Sequence, residues 1–288
     1  MSAQLIDGNA IAARIRDAAQ HEAKRLAQRG HRPCLAAVLV GDDDGSRLYA
    51  ASQAETAHRV GIEHRLVEIP PQATLDEVRG RIAELNADAT VSGILVYQPL
   101  PAGLDAAAVQ SLIDPRKDVE GVQPYNLGLL AMGRDALVPC TAAAAMACLA
   151  STGIDLSGRE AVVVGRSAIV GRPVAALLTA AHATVTVCHT RTLQLEDHTR
   201  RAEVLIVAAG RVGLIGREHV RPGAVVIDVG THRQRVPGDG STARTKTVGD
   251  VRFEEVSHVA SAITPVPGGV GPVTVAMLLS NVVKAAES

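Results

Sequence analysis

Apolar runs alternate with amphipathic stretches along the first hundred residues. Apolar positions over 10–26 fall near helical spacing, and the same spacing recurs over 74–85. A further helix is predicted from Ser46, which can act as its N-cap, to Val60. Short, nearly continuous apolar runs indicate strands at 35–40, 64–69 and 91–97. From residue 35 onward this β-α-β-α-β order is typical of a parallel sheet covered by helices.

A second alternating pattern follows an irregular stretch that contains Pro124, Gly128 and Gly133. An Ala-rich helix is predicted over 141–149 and another helix over 170–181. Strands are predicted at 161–164, 184–188, 204–208 and 224–229. The segment 236–246 is polar and is predicted to be an exposed loop. The pattern as a whole indicates two α/β lobes joined near residue 140.

The composition fits such a layered fold. Apolar residues make up 47% of the chain but aromatic residues only 1%, so Ala, Val, Leu and Ile must form the core. The scarcity of aromatic rings argues against nucleic acid bound by base stacking. A formal net charge of −1 supplies no field that would attract a polyanion.

The four cysteines are dispersed and form no CxxC pair. They are therefore predicted to be reduced, buried small hydrophobes, and no metal site is expected. No signal-peptide pattern is visible, and no uncharged apolar run reaches the roughly 18 residues of a membrane span. We expect a cytoplasmic protein without a membrane partner.

Three prolines and three glycines crowd the segment from Pro265 to Pro272. Such a segment forms neither a helix nor a central strand, and its glycines let the backbone approach another group closely. Pro272 is predicted at a helix start, where proline is tolerated. The loop is interpreted either as a ligand-binding surface or as a rigid hinge.

A strand, a tight turn and a helix meet at residues 162–173. Gly165 allows the turn, Gly171 permits close packing of helix on strand, and amides at the helix start can hold a pyrophosphate. The pattern is not GxGxxG, because Ser167 stands where the second glycine would be. Thr190 and Arg191, at the end of the next strand, suit a 2′-phosphate and favour NADP over NAD. The alternative is that these are ordinary solvated surface residues.

With both glycine loops in place, the chain resembles the bifunctional methylenetetrahydrofolate dehydrogenase/methenyltetrahydrofolate cyclohydrolase family nearly end to end. The resemblance rests on 46–49 with the following helix, 61–62, 93–101, 117–119, 124–126, 139–141, 165–173, 228–230, 249–251 and 265–274. It implies an N-terminal α/β catalytic lobe of residues 1–139, completed by a C-terminal helix over 272–288. It also implies a Rossmann-type parallel-sheet lobe of residues 140–271 that binds NADP. A folate site in the cleft between the lobes and a cytoplasmic homodimer are further expectations.

The resemblance also implies the site residues. Tyr49 would stack on or line the pterin side of the cleft. Substrate-binding residues would be Tyr49, Gln53, Tyr97, Gln98, Glu120, Pro267, Gly268 and Gly269. Cofactor-binding residues would be Thr141, Gly165, Arg166, Ser167, Ile169, Val170, His189, Thr190, Arg191, Gly230, Thr231, Gly271 and Thr274.

The sequence departs from the family's pattern at the candidate catalytic positions, which are Tyr49, Gln53, Tyr97 and Glu120. The family places a catalytic lysine four residues after the tyrosine, where this chain has Gln53, and a second lysine where it has Glu55. The glutamine that partners the catalytic lysine is replaced by Tyr97. The aspartate that grips the amino edge of the pterin is replaced by Glu120.

These replacements predict altered chemistry. Oxidising methylenetetrahydrofolate moves a hydride and no proton, so orientation is the main requirement. Hydrolysing methenyltetrahydrofolate needs a group that exchanges protons, and Gln53 cannot titrate. We therefore predict NADP-dependent oxidation of 5,10-methylenetetrahydrofolate to 5,10-methenyltetrahydrofolate, with weak or absent cyclohydrolase activity.

Two alternatives stay open at this point. One is a specialised relative that acts on a different folate adduct or a cyclic amine, and the other is a non-catalytic folate- or NADP-binding protein. His58 and His64 are candidate replacement bases but are expected to be surface or structural residues.

Overall fold

A computed structural model describes residues 2–42, 44–236 and 244–287, and only the backbone of Asp44, Ser46, Tyr49, Val236 and Arg244. The strands are β1 (Gln4–Leu5), β2 (Cys34–Val40), β3 (Glu63–Ile69), β4 (Gly93–Val96), β5 (Glu160–Val164), β6 (Thr184–Cys188), β7 (Val204–Val207), β8 (Val225–Asp228), β9 (His232–Val236), β10 (Arg244–Val248) and β11 (Ala262–Ile263). The helices are α1 (Gly8–Gln28), α2 (Asp44–Val60), α3 (Leu75–Ala87), α4 (Ala106–Gln110), α5 (Pro124–Ala131), α6 (Cys140–Ala150), α7 (Gly171–Ala180), α8 (Leu195–Thr199), α9 (Phe253–Val256) and α10 (Val270–Ala286).

The chain divides into two compact units. The three-stranded unit comprises Ala13–Cys140 and Ala276–Ser288, and the six-stranded unit comprises Met1–Ala12 and Thr141–Val275. Both units combine helices with a parallel sheet, which confirms the predicted α/β fold class. We expected the first lobe to begin at residue 1. Instead, β1 pairs with β11 and so belongs to the larger sheet.

The sheet of the three-stranded unit has the order β3-β2-β4, with parallel pairing throughout. Its central strand β2 is buried at every position, as expected for an apolar strand covered on both faces. Helix α3 begins with a capping box, in which Thr74 and Glu77 satisfy each other's backbone amides. The Lys117 ammonium donates to three carbonyls where α3 ends, which ties the segment after α4 to this helix.

The main sheet of the six-stranded unit has the order β1-β11-β8-β7-β5-β6, and all its pairs are parallel. Strands β7 and β8 are buried at every position, so their aliphatic runs form the core. Strand β5 lies where the order reverses, with β6 on one side and β7 on the other. This arrangement confirms a Rossmann-type parallel sheet.

Three local predictions differ from the structure. The stretch around Pro124 and Gly128 was expected to be irregular but forms α5, which has proline in its first turn. Ser46 lies inside α2 rather than at its cap. Part of the loop expected at 236–246 falls in the hairpin of β9 and β10, and 237–243 lie outside the described residues.

The four cysteines are free and buried, as the sequence predicts. Within the described part of the chain, none of the helices has both the length and the apolar content of a membrane span.

Candidate active site

Gln53 lies on the buried face of α2. It shares that face with Ala50, Ala57 and Val60, which follow helical spacing. Only 4% of Gln53 is exposed, so its amide must find a partner inside the protein or in a ligand.

Tyr97 supplies that partner. It follows β4, and its backbone amide donates to the Val38 carbonyl at 2.9 Å, which continues the β2–β4 pairing. Its phenol donates to Gln53 Oε1 at 2.6 Å in a buried contact. The structure therefore joins two predicted site residues in one neutral hydrogen-bonded pair. Tyr49 lies one helical turn before Gln53, but its side chain is outside the described part of the chain.

Glu120 follows a segment fixed by a buried aspartate. Asp118 is fully buried, and its carboxylate accepts from Gln110 Nε2 at 3.0 Å, from Asn126 Nδ2 at 3.0 Å and from the Gln123 amide at 2.8 Å. The backbone of Asp118 also forms an isolated parallel β-bridge with Ile94 of β4. Glu120 follows Asp118 by two residues, so these hydrogen bonds fix the backbone from which its side chain projects.

The environment of Glu120 favours its neutral form. Burial, with a smaller contribution from the charge of Asp118, raises the pKa of the Glu120 carboxyl to about 7. Its backbone carbonyl accepts from the Cys140 amide at 3.3 Å. Burial also raises the pKa of the Cys140 thiol well above its usual range, so this cysteine is no nucleophile at neutral pH.

The proline- and glycine-rich loop packs on the start of α1 within the six-stranded unit. The Gly8 amide donates to the Gly268 carbonyl at 2.9 Å. A Cβ at position 8 would lie 1.8 Å from the Gly269 carbonyl oxygen, so the two backbones touch. Gly268 has φ +98°, which only glycine adopts easily, and Pro267 is exposed. Gln98 was also predicted to bind substrate. It lies in the loop that follows Tyr97, and it is exposed.

The turn between β5 and α7 is closed by two glycines. Gly165 has φ +130°, and a Cβ there would lie 2.1 Å from the Ala208 carbonyl oxygen. A Cβ on Gly171 would lie 2.2 Å from the Gly165 carbonyl oxygen. The turn therefore closes tightly at the carboxyl end of β5, where Rossmann-type sheets hold a nucleotide phosphate, and residues 165–171 are called the phosphate cradle below.

Ser167 changes one detail of this expectation. Its hydroxyl accepts from the Val170 amide at 3.2 Å and the Gly171 amide at 3.3 Å. Two amides that we expected to be free at the helix start are therefore occupied. The residues between, Ala168 and Ile169, are exposed, as is Arg166.

The end of β6 forms a compact polar turn. The His189 amide donates to Thr192 Oγ1 at 2.9 Å, and the Arg191 amide donates to His189 Nδ1 at 3.1 Å. Thr190 and Arg191 are exposed on this turn. The Thr190 hydroxyl and the Arg191 guanidinium therefore follow β6, the strand next to β5 in the sheet.

Sequence reasoning missed the side chains that organise the end of β8. Asp250 is fully buried, and its Oδ2 accepts from the Ala209 amide at 2.7 Å and the Gly210 amide at 2.9 Å. Its Oδ1 lies 2.7 Å from His232 Nε2. A Cβ on Gly230 would lie 2.4 Å from the Asp250 Cγ, so the predicted cofactor loop at Gly230 and exposed Thr231 crosses this carboxylate.

Asp228 is hydrogen-bonded to the backbone of Asp250. Its carboxylate accepts from the amides of Gly230, Asp250 and Val251 at 2.9–3.1 Å. Burial raises the pKa of the Asp228 carboxyl to about 6. The available signal was the pair of motifs at 228–230 and 249–251, each of which contains an aspartate and a glycine.

The remaining predicted positions lie on helices and on an edge strand. Thr141 is partly exposed in α6, and Gly271 and Thr274 lie in the first turns of α10, where Thr274 Oγ1 donates to the Val270 carbonyl at 3.2 Å. His58 is exposed on α2. His64 lies on the edge strand β3, where burial lowers the pKa of its imidazole.

A Rossmann-type sheet with a glycine turn at the carboxyl end of β5, in a chain whose other α/β unit carries a buried polar pair, is typical of two-domain enzymes that use a nicotinamide nucleotide. Residues 6–120 match the model of the tetrahydrofolate dehydrogenase/cyclohydrolase catalytic domain, and residues 139–288 match that of its NAD(P)-binding domain. The chain belongs to the tetrahydrofolate dehydrogenase/cyclohydrolase family, whose members are enzymes.

Similar proteins cover the whole chain. The bifunctional protein FolD 1 of Rubrobacter xylanophilus is 48% identical over 99% of this chain and 98% of its own length. The Campylobacter jejuni FolD structure has a TM-score of 0.93 at 42% identity and covers 99% of both chains. The Trypanosoma brucei FolD structure, complexed with NADP cofactor and inhibitor, has a TM-score of 0.90 at 38% identity, covering 100% of this chain and 98% of that one.

Proposed function

We propose that this protein oxidises 5,10-methylenetetrahydrofolate to 5,10-methenyltetrahydrofolate with NADP, and that its cyclohydrolase activity is weak or absent. The observation that carries the second half is the buried hydrogen bond from the Tyr97 phenol to Gln53 Oε1. It fills the candidate catalytic position with an amide and a phenol in place of the family's lysine, and the amide of Gln53 cannot exchange protons near neutral pH.

The residues of the six-stranded unit fit NADP. Gly165 and Gly171 let the turn after β5 close tightly on the Ala208 carbonyl and on itself. Arg166 and Arg191 are exposed at adjacent strand ends, where they would balance a 2′-phosphate. The nicotinamide, when bound, supplies the hydride acceptor. The cytoplasmic homodimer implied by the family resemblance remains part of this proposal.

The Gln53–Tyr97 pair and Glu120, all in the three-stranded unit, are groups that can bind and orient substrate. Among the described residues, nothing accepts a hydrogen bond from the Gln53 amide nitrogen, so this nitrogen is free to donate to a substrate oxygen or nitrogen. Glu120, when ionised, accepts from N–H groups such as those on the amino edge of a pterin. Orientation of this kind is sufficient for hydride transfer.

Hydrolysis of the methenyl group makes a different demand. Water must add to the bridging carbon, and a ring nitrogen must gain a proton as its bond to that carbon breaks. Loss of a general acid–base group typically slows such a step by about 10²–10⁴-fold. Gln53 cannot replace that group, because an amide does not exchange protons near neutral pH.

The simplest test uses the purified full-length protein. NADP reduction is followed with methylenetetrahydrofolate, with NAD as the comparison, and the decay of added methenyltetrahydrofolate is followed separately. We expect NADP to be reduced and the methenyl product to decay at the rate seen without enzyme. Rapid enzyme-dependent decay would refute the second half of the proposal, and binding of NADP without any turnover would refute the first.

Paired variants test the cause. Gln53→Lys alone is expected to restore little hydrolysis, because the Tyr97 phenol occupies the partner position. Gln53→Lys with Tyr97→Gln is expected to raise hydrolysis about 10²-fold, the lower end of what a general acid–base group contributes. Tyr97→Gln alone is the matched control. Full recovery in Gln53→Lys alone would contradict the assigned role of Tyr97.

One observation favours a second candidate function. The Glu120 carboxyl, with its pKa raised to about 7, could itself exchange protons in a slow cyclohydrolase reaction. Any hydrolysis found in the wild-type protein should then disappear in Glu120→Gln. Hydrolysis that survives this substitution would assign the proton transfer elsewhere.

A further inference from the structure

The His232–Asp250 pair lies at the carboxyl ends of β7 and β8, where the loops that follow these two strands meet. Asp250 is held from three sides, by the Ala209 amide, the Gly210 amide and the His232 ring. A carboxylate oxygen accepts hydrogen bonds, so His232 Nε2 is assigned as the donor in this contact. Among the described residues, none bonds the other ring nitrogen, Nδ1, and 23% of the side chain is exposed.

The sheet order indicates which part of a dinucleotide this pair would serve. In a Rossmann-type sheet the dinucleotide crosses the point where the strand order reverses, and each half of the sheet serves one mononucleotide. Here the reversal is at β5, so β6 lies on one side and β7 and β8 lie on the other. The phosphate cradle and Arg191 belong to the β5–β6 side, whereas the pair belongs to the β7–β8 side.

Two segments of backbone connect the His232–Asp250 pair to the phosphate cradle and to the loop after β8. The Ala208 carbonyl, which Gly165 touches, precedes the two amides that Asp250 binds. The backbone at Gly230 crosses directly over the Asp250 carboxylate and leads through Thr231 to His232. A buried carboxylate that satisfies three donors is costly to disturb, so it fixes both loops.

We propose that His232, oriented by Asp250, is a positioning residue for the nicotinamide half of the bound dinucleotide and leaves the adenosine half unaffected. In the neutral imidazole, donation from Nε2 to Asp250 leaves Nδ1 as an acceptor, which suits a carboxamide N–H or a ribose hydroxyl better than a phosphate. The proposal rests on dinucleotide binding by this unit and is independent of the folate substrate.

Direct binding measurements separate the two halves. The dissociation constants of NADP and of adenosine 2′,5′-bisphosphate, which lacks the nicotinamide half, are measured by calorimetry on the full-length protein. His232→Ala is expected to weaken NADP binding about tenfold and to leave bisphosphate binding unchanged. His232→Gln, whose amide nitrogen can still donate to Asp250, should recover most of the loss. His258→Ala, at an exposed histidine of the same unit, is the matched control.

Two outcomes would overturn the proposal. Equal weakening of both ligands in His232→Ala would show a general loss of the cradle, and unchanged NADP binding with a lower melting temperature would show a purely structural role. Nuclear magnetic resonance of the wild-type protein provides a test that needs no variant. The His232 ring nitrogens should respond to NADP and not to the bisphosphate, whereas a ring that responds to neither contradicts the proposal.

Absence of methylenetetrahydrofolate oxidation would refute the proposed function but not this inference, because both ligands are tested without folate. Failure of NADP to bind at all would refute both.

Discussion

At the scale of single residues, the candidate site is defined by which polar groups are paired. Gln53 and Tyr97 are 44 residues apart in the chain, yet they share a buried hydrogen bond. Comparison with the family pattern singled out both positions, but helical and strand periodicity placed them only on separate elements. Their pairing depends on the packing of α2 against the end of β4, which no local pattern encodes.

Removing the Tyr97 phenol should destabilise the protein. In Tyr97→Phe the buried Gln53 carbonyl oxygen loses its donor, which typically costs about 1–3 kcal/mol. Urea unfolding of both proteins gives this difference directly. Tyr125→Phe is the control, because Tyr125 is 60% exposed and its loss should change the free energy of unfolding by less than about 0.5 kcal/mol. Equal effects in the two variants would contradict the buried role of Tyr97.

Glu120 should make stability depend on pH in a defined direction. The pKa of its carboxyl is raised in the folded protein, from 4.5 to about 7, so the folded state binds more protons between these values. Wild-type stability therefore falls as pH rises through this window. Glu120→Gln removes the effect, so the variant should gain on the order of 1–3 kcal/mol relative to wild type between pH 4.5 and pH 7.5.

Urea unfolding of wild type and variant at several pH values checks this, with Glu254→Gln, at an exposed glutamate, as the control. A difference between Glu120→Gln and wild type that stays constant with pH would show that Glu120 ionises normally. The same sign applies to Asp228, whose pKa is raised to about 6, and the two residues must be separated by single substitutions.

At the scale of elements, most strands and long helices follow from their apolar runs. The strand over 184–188 was predicted with the bounds that the structure gives it, and most other predicted elements shift by one or two residues. The short elements were missed, because two residues in β1 or β11 carry no periodic signal. The hairpin of β9 and β10 was also missed, since its polar sequence resembles that of a loop.

Two glycines should respond in opposite ways to alanine. At Gly165, φ +130° and the Ala208 carbonyl leave no room for a Cβ, so Gly165→Ala should cost at least about 1–3 kcal/mol and abolish dinucleotide binding. At Gly80, within α3, a Cβ meets nothing within 4 Å, so Gly80→Ala should stabilise the protein by about 0.5–1 kcal/mol. Thermal unfolding and NADP calorimetry check both. A Gly165→Ala protein that binds NADP normally would exclude this turn as the phosphate cradle.

At the scale of the whole molecule, the two compact units combine pieces from both ends of the chain. The three-stranded unit includes Ala276–Ser288, and the six-stranded unit includes Met1–Ala12. The sequence suggested a C-terminal helix that completes the first lobe, whereas it did not suggest that the N-terminal strand joins the other sheet. Parallel pairing between β1 and β11 links residues more than 250 positions apart, so their contact is set by topology.

The oligomeric state is a prediction at this same scale. The family resemblance implies a homodimer, so sedimentation equilibrium should give twice the chain mass of 29.9 kDa. The measurement is made with and without NADP. A single-chain mass at micromolar protein in both conditions would contradict the expectation.

The sequence alone determined the class of fold, the position of both glycine loops and the family, because local periodicity, turn chemistry and short motifs are written along the chain. Tertiary structure decided how Gln53 is paired, where Asp118 anchors the segment before Glu120, and how Asp228, Asp250 and His232 fasten the loops after β7 and β8. These contacts arise only when strand order and register bring distant residues together. Burial then decides which of their polar groups must bond and which carboxyls keep their protons.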